Sequence, residues 1–227
     1  MENTTNFQPY RCVLTGGTAE ITEKKSRFIA TVRRTESEEE AVSFIEEMKK
    51  KYWDASHNCS AFVIGRRGQL TRCSDDGEPS GTAGRPMLEV LLGEGICDAA
   101  VVVTRYFGGT LLGTGGLVRA YGAAVKAGLE ASQTATMRYG SRIRIGTDYS
   151  DIGRIQYLLG QKGYPQENAE YTERVALETV VPAPEEERLI KELTEATGAR
   201  AELEVVDRYY FVDKDSAGSY SVKVLNK

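Results

Sequence analysis

Apolar and polar positions change their spacing several times along the 227 residues, and each change marks an element. In residues 26–32, Phe28, Ala30 and Val32 share one side of an extended segment, which predicts a strand with a buried face. The spacing then becomes helical, with Ile45, Met48 and Tyr52 in one stripe. Glu38, Glu39 and Glu40 open that helix and Lys49, Lys50 and Lys51 close it, as the helix dipole favours. Thr35 or Ser37 is the expected N-cap, with Glu38 or Glu40 as its capping-box partner. Strands are predicted at 60–64 and 70–73. A short helix follows at 86–92, with Pro86 in its first turn and Gly93 as its stop. Residues 99–104 are continuously apolar, the mark of a strand buried on both faces. Leu117, Tyr121 and Val125 then place a helix over 117–129.

After residue 131 the order of elements changes. A half-buried strand is expected over 137–145, then a helix capped by Asp148 or Asp151, carrying Ile152, Ile155 and Leu159 and ended by Gly163. Two strands at 165–171 and 174–181 precede a helix that Pro184 and Glu185 open and Gly198 ends. A last strand carries Ala201, Leu203 and Val205. This β-α-β-β-α-β order is ferredoxin-like. The fold class is therefore α+β, with an N-terminal α/β domain over 1–132 and a ferredoxin-like domain over 133–227. The small, polar residues at 131–135 are expected to link them. The end of the chain, after about 208, is either a loose tail or an added edge strand.

Charge excludes one simple account of function. The net charge is −4, and neither part is basic: residues 1–130 carry 16 Lys and Arg against 17 Asp and Glu. Any nucleic-acid binding must therefore use a local patch. No apolar run reaches the length of a membrane span, and the first residues lack the basic-then-apolar order of a secretory signal. Cys12, Cys59, Cys73 and Cys97 form no C-x-x-C pair, so scattered reduced thiols are expected rather than a zinc site. These readings point to a cytoplasmic protein with no cofactor and no metal.

Two loops carry the candidate chemistry. The first, residues 74–87, concentrates Asp75, Asp76 and Glu78 with Ser74, Ser80, Thr82, three glycines and Arg85. It reads either as an oxygen-rich site for a cation or basic side chain, or as a turn whose carboxylates satisfy its own N–H groups. With His57, the three carboxylates are the candidate acid–base groups, although His57 is the lone histidine and no G-x-S-x-G elbow accompanies Ser74. The second, residues 105–122, sets Gly108, Gly109, Gly113, Thr114, Gly115 and Gly116 before a helix, flanked by Arg105 and Arg119. Glycine allows close approach, and a helix start favours anions. It is neither a Walker A loop nor a dinucleotide fingerprint. Arg85, Arg105 and Arg119 with these six residues form the candidate anion or nucleic-acid site. Lys24, Lys25 and Arg27 either extend it or solvate a strand edge.

Four segments together resemble the Impact family: KKSRFI at 24–29, HNCSAFVIG at 57–65, SDDGEPSGTAGRPML at 74–88 and VVVTRYFGGTLLGTGGLVRAYG at 101–122. The resemblance is to the bacterial, YigZ-like two-domain form. It implies an N-terminal domain of the type seen in a ribosomal protein and in GHMP kinases, and a C-terminal domain similar to the last domain of elongation factor G. It further implies translation-related binding, with RNA, the ribosome or a translation factor as partner. Two alternatives stand beside it: an enzyme acting on a phosphorylated small molecule through the 74–87 and 105–119 loops, and a protein–protein adaptor whose acidic loop reads a basic partner.

Overall fold

The structure, a computed structural model, describes residues 7–212. The chain divides into two compact units, residues 10–135 and residues 136–212 together with 7–9. The first unit opens with β1 (Tyr10–Thr15), β2 (Thr18–Glu23) and β3 (Ser26–Arg34), followed by α1 (Glu38–Lys51), β4 (His57–Ile64) and β5 (Leu70–Ser74). It continues with α2 (Gly84–Gly93), β6 (Ile96–Cys97), β7 (Ala99–Tyr106) and α3 (Thr114–Glu130). Five strands make one antiparallel sheet in the order β2-β3-β7-β4-β5. β1 and β6 pair in parallel apart from it.

The apolar run in β7 is buried on both faces because helices cover both. Ala99, Val101 and Val103 pack with Phe28, Ala30 and Val32 of β3 beneath α2 and α3. Ala100 and Val102 pack with Phe62 and Ile64 beneath Ala41, Phe44 and Met48 of α1. Each fully buried Val, Ile, Phe or Met side chain among them contributes roughly 1.5–3 kcal/mol. The buried side of α1 is thus displaced from the expected stripe, with Phe44 central and Ile45 and Tyr52 at its margin. Ser37 is the N-cap, and its Oγ accepts from the Glu40 N–H at 3.2 Å. The Glu40 carboxylate reaches back to the N–H of Glu36, one residue beyond the capping-box position.

The second unit is ferredoxin-like. β8 (Gln133–Thr147), α4 (Tyr149–Lys162), β9 (Glu167–Tyr171), β10 (Val175–Pro182), α5 (Glu186–Thr197) and β11 (Glu202–Val212) follow in chain order. Antiparallel pairing gives the order β11-β8-β10-β9. Ile143, Ile145 and Leu177 of the strands form one core with Ile155, Leu159, Leu189 and Leu193 of the two helices. Gly163 and Gly198 end α4 and α5 in the left-handed conformation. No separate linker lies at 131–135: α3 ends at Glu130, β8 begins at Gln133, and the two units divide within that strand. β11 runs to Val212, and the question of a loose tail beyond it falls outside the described residues.

Candidate functional site

The antiparallel register brings four connections to one end of the first sheet. Arg27 at the start of β3 lies opposite Tyr106 at the end of β7, and Arg105 lies opposite His57 at the start of β4. The β2–β3 turn, the α1–β4 loop, the β5–α2 loop and the β7–α3 loop therefore meet there. All four segments that carried the family resemblance contribute to this end.

Its interior is a buried polar network. Arg105 donates to Glu78 Oε1 at 2.6 Å, and the two side chains are only 6% and 3% exposed. The same oxygen accepts the Tyr121 hydroxyl at 2.8 Å. Arg105 also reaches Ser26 Oγ at 3.4 Å, which in turn accepts the Gly108 N–H at 3.2 Å. The guanidinium lies 5.5 Å from the Phe28 ring and 5.6 Å from the Phe107 ring. Cys59 Sγ sits 2.9 Å from the Asp75 carbonyl and 3.3 Å from the Tyr121 hydroxyl. Burial, reinforced by the nearby carboxylates of Glu78, Asp76 and Asp75, pushes the Cys59 thiol up to about 12, so it holds its proton at neutral pH. Burial likewise raises the Tyr121 phenol far above its ordinary value.

The loop 74–87 is organised by its own carboxylates. Asp75 accepts three backbone N–H groups, from Gly81 at 2.8 Å, Ala83 at 3.0 Å and Gly84 at 2.8 Å. It thereby caps the start of α2, where Ala83 supplies no side-chain cap. Burial raises the carboxyl, but the three donors outweigh it and hold Asp75 below the usual carboxylate range. Asp76 accepts the Asn58 N–H at 2.7 Å and pairs with Lys49 at 3.1 Å. His57 Nδ1 donates to the Asp76 carbonyl at 2.9 Å, while its Nε2 lies 3.9 Å from Glu78 Oε2, beyond hydrogen-bond reach. The structure thus brings His57, Asp76 and Glu78 together and directs Asp75 into the loop. The two loops converge, as an active site would require, but their acid–base groups are bonded to backbone and to Lys49, Arg105 and Tyr121. Among the described residues no group of His, Cys, Asp and Glu side chains is placed to hold a metal ion.

The second loop separates the residues assigned to it. Arg105 lies beneath the surface and is neutralised by Glu78, so it is no free anion ligand. Its buried Nε has no partner. Arg85 is exposed but paired with Glu89 at 2.8 Å. α3 begins three residues earlier than expected, so Thr114, Gly115 and Gly116 form its first turn, and Gly113 precedes it at φ 74° with no side-chain cap. A Cβ on Gly115 would lie 3.6 Å from a terminal nitrogen of Arg119, which is exposed and has no ion-pair partner among the described residues. Gly109, at φ 80°, turns the loop before that helix.

Gly108 is fixed for a different reason. A Cβ there would stand 2.1 Å from the Lys25 carbonyl carbon, so the β2–β3 turn lies directly against the glycine loop. Lys24 and Lys25 form this two-residue turn at φ 45° and 69°, left-handed values that favour Asn or Gly. Both are exposed and lack ion-pair partners among the described residues. Arg27 is occupied by two hydrogen bonds to Glu20, each 2.9 Å. Sequence reasoning counted Tyr121 only as core and did not mark Ser26 or Trp53. Trp53, in the α1–β4 loop, is 82% exposed. The signal available was its position, an aromatic between a lysine run and a polar turn, off the stripe of α1.

Comparison with known proteins agrees with this architecture. Residues 24–129 match the Impact N-terminal domain, and residues 145–200 match a domain of unknown function, DUF1949. IMPACT family member YvyE of Bacillus subtilis is 41% identical over 194 residues, 86% of this chain and 89% of its own. IMPACT family member YigZ of Escherichia coli is 41% identical over 162 residues, 70% of this chain and 79% of its own. A crystal structure described as that of a hypothetical protein aligns with a TM-score of 0.56 at 35% identity, covering 88% of this chain and 98% of that one. No helix among the described residues is long and apolar enough to cross a membrane. The chain belongs to the Impact family.

Proposed function

We propose that the protein is a translation-related binding protein that contacts RNA, on the ribosome or free, through the loop end of its N-terminal unit. The observation that carries this reading is the Lys24–Lys25 turn seated against Gly108. It sets two cations without ion-pair partners among the described residues beside a glycine-rich loop and the start of α3, where Arg119 adds a third. A strained turn of two lysines, where Asn-Gly would cost less, is the kind of outlier that function retains. The translation theme itself rests on the resemblance of both domain types. Against the enzyme reading, Asp75, Asp76, Glu78 and His57 are engaged by internal bonds, and the Cys59 thiol keeps its proton. The same engagement weakens an adaptor reading of the acidic loop.

RNA binding across a salt series tests the proposal. Three neutralised phosphates give a single-strand slope of about −2, so affinity falls roughly 20-fold between 50 and 200 mM salt. Lys24→Ala/Lys25→Ala and Arg119→Ala each reduce the slope. Arg85→Ala, which removes an arginine already paired with Glu89, changes it least. Absence of binding at low salt, or a slope unchanged in the lysine variant, rejects the proposal.

A further inference from the structure

We infer that the same end of the sheet is a stacking platform for the bases of single-stranded nucleic acid, with Trp53 and Phe107 as its rings. This rests on the RNA-binding reading above and names the form of RNA it takes. Trp53 is 82% exposed, and Phe107 is 49% exposed with its ring beside the Arg105 guanidinium. The two loops that carry them are tied together by three hydrogen bonds. Ser56 N–H donates to the Arg105 carbonyl at 2.9 Å, Phe107 N–H donates to Ser56 Oγ at 3.3 Å, and the Tyr106 hydroxyl donates to Asp54 at 2.8 Å. These bonds hold the chain just after Trp53 against the chain just before Phe107, which lowers the cost of ordering the two rings on binding.

Leaving a tryptophan in water forgoes the burial that makes it a core residue elsewhere. Trp53 has no ring contact among the described residues, and core positions on α1 lie one turn away. The charge around it selects the occupant. Lys50 and Lys51 precede it, separated from it by Tyr52, and Lys24 and Lys25 lie on the turn that abuts Gly108, next to Phe107. The carboxylates of Asp76 and Glu78 are paired with Lys49 and Arg105, which leaves Asp54, bonded to the Tyr106 hydroxyl, and Glu23 at the end of β2 as exposed acids against the exposed Lys24, Lys25, Lys50 and Lys51. Exposed rings among exposed lysines that form no ion pair among the described residues match a polyanion whose bases are free to stack. A duplex keeps its bases stacked on one another and offers the rings nothing.

Trp53 is the sole tryptophan in the sequence, so its emission reports directly on this position. The probes are single-stranded oligoadenylate of about 12 nucleotides, within the span of known single-strand sites, a blunt RNA duplex of equal length, and inorganic polyphosphate as charge without bases. The expected result is quenching by oligoadenylate alone. Trp53→Ala should weaken oligoadenylate binding about tenfold with the salt slope unchanged, and Trp53→Phe should recover most of that loss. Lys24→Ala/Lys25→Ala should instead lower the slope for all three probes. If oligoadenylate binds with the expected slope but leaves Trp53 emission and the Trp53→Ala affinity unchanged, the platform is overturned while the RNA-binding function stands. Binding of no probe at low salt rejects that function and the platform with it. Quenching by ribosomal proteins but not by RNA overturns the platform in favour of a protein partner.

Discussion

The loops at 74–87 and 105–116 meet at Glu78 and Arg105, yet they dispose of their polar groups in opposite ways. In the first, Asp75, Asp76 and Glu78 turn toward backbone N–H groups, Lys49, Arg105 and Tyr121. In the second, the charged residue turns inward, while the apolar side chains of Phe107 and Leu111, 49% and 83% exposed, face water. The acidic loop, which in sequence reads either as a site or as a turn satisfied by its own carboxylates, has those carboxylates engaged internally. The glycine loop, which in sequence reads as the candidate anion site, is the one that leaves apolar side chains facing water. A polar side chain is available to a ligand only when its own protein has not already satisfied it.

The largest effect expected is on the joint between the loops. Glu78→Ala leaves the Arg105 guanidinium buried without a counter-charge, which costs about 3–5 kcal/mol. Urea unfolding of the N-terminal unit measures it. Glu78→Leu combined with Arg105→Met removes both charges and should recover most of the loss. If the single variant is as stable as wild type, the joint does not hold the loops together. A smaller loss follows from Asp75→Ala, which orphans three N–H groups and costs about 1–3 kcal/mol. Its pH dependence has a definite sign. The donors hold the folded Asp75 below its unfolded value of about 3.9, so its contribution is complete above that value and disappears as pH falls through the folded one. Asp75→Asn should flatten the acid limb of the stability curve below about pH 4.

Periodicity exposed the elements that bury a full face. The residues 26–32, 99–104 and the C-terminal β-α-β-β-α-β order were legible because their apolar residues repeat over several turns or pleats. β2 was not, because TAEITE sets only Ala19 and Ile21 toward the core, too few to establish a period. β1 and the two-residue β6 gave still less. The start of α3 was misplaced because Gly115 and Gly116 have poor helix propensity and read as loop. At the site, the sequence marked segments that the fold brings together but could not show how single residues are partnered. Arg105 was read as an anion ligand because nothing local shows that Glu78, 27 positions away, neutralises it. The pairing of Lys25 with Gly108 is equally non-local, and only the backbone angles show that the lysine turn is strained.

That strain yields the smallest effect and the one that separates the loops most sharply. Lys24→Asn with Lys25→Gly places the preferred residues in a two-residue turn whose backbone already has positive φ at both positions. Relief of two left-handed residues should stabilise the N-terminal unit by about 1–2 kcal/mol, a rise that thermal unfolding resolves. The same variant removes both cations, so its RNA affinity should fall and its salt slope should drop by about 1.4. In the acidic loop the left-handed residue is Asp76, at φ 46°, and its carboxylate is bonded to the Asn58 N–H and to Lys49, so replacing it removes bonds while it relieves strain. Stability and binding should therefore move in opposite directions at the lysine turn and stability alone should move at Asp75. A lysine-turn variant that gains stability and keeps its full RNA affinity would show that the strain serves folding rather than binding, and would return both loops to the same structural role.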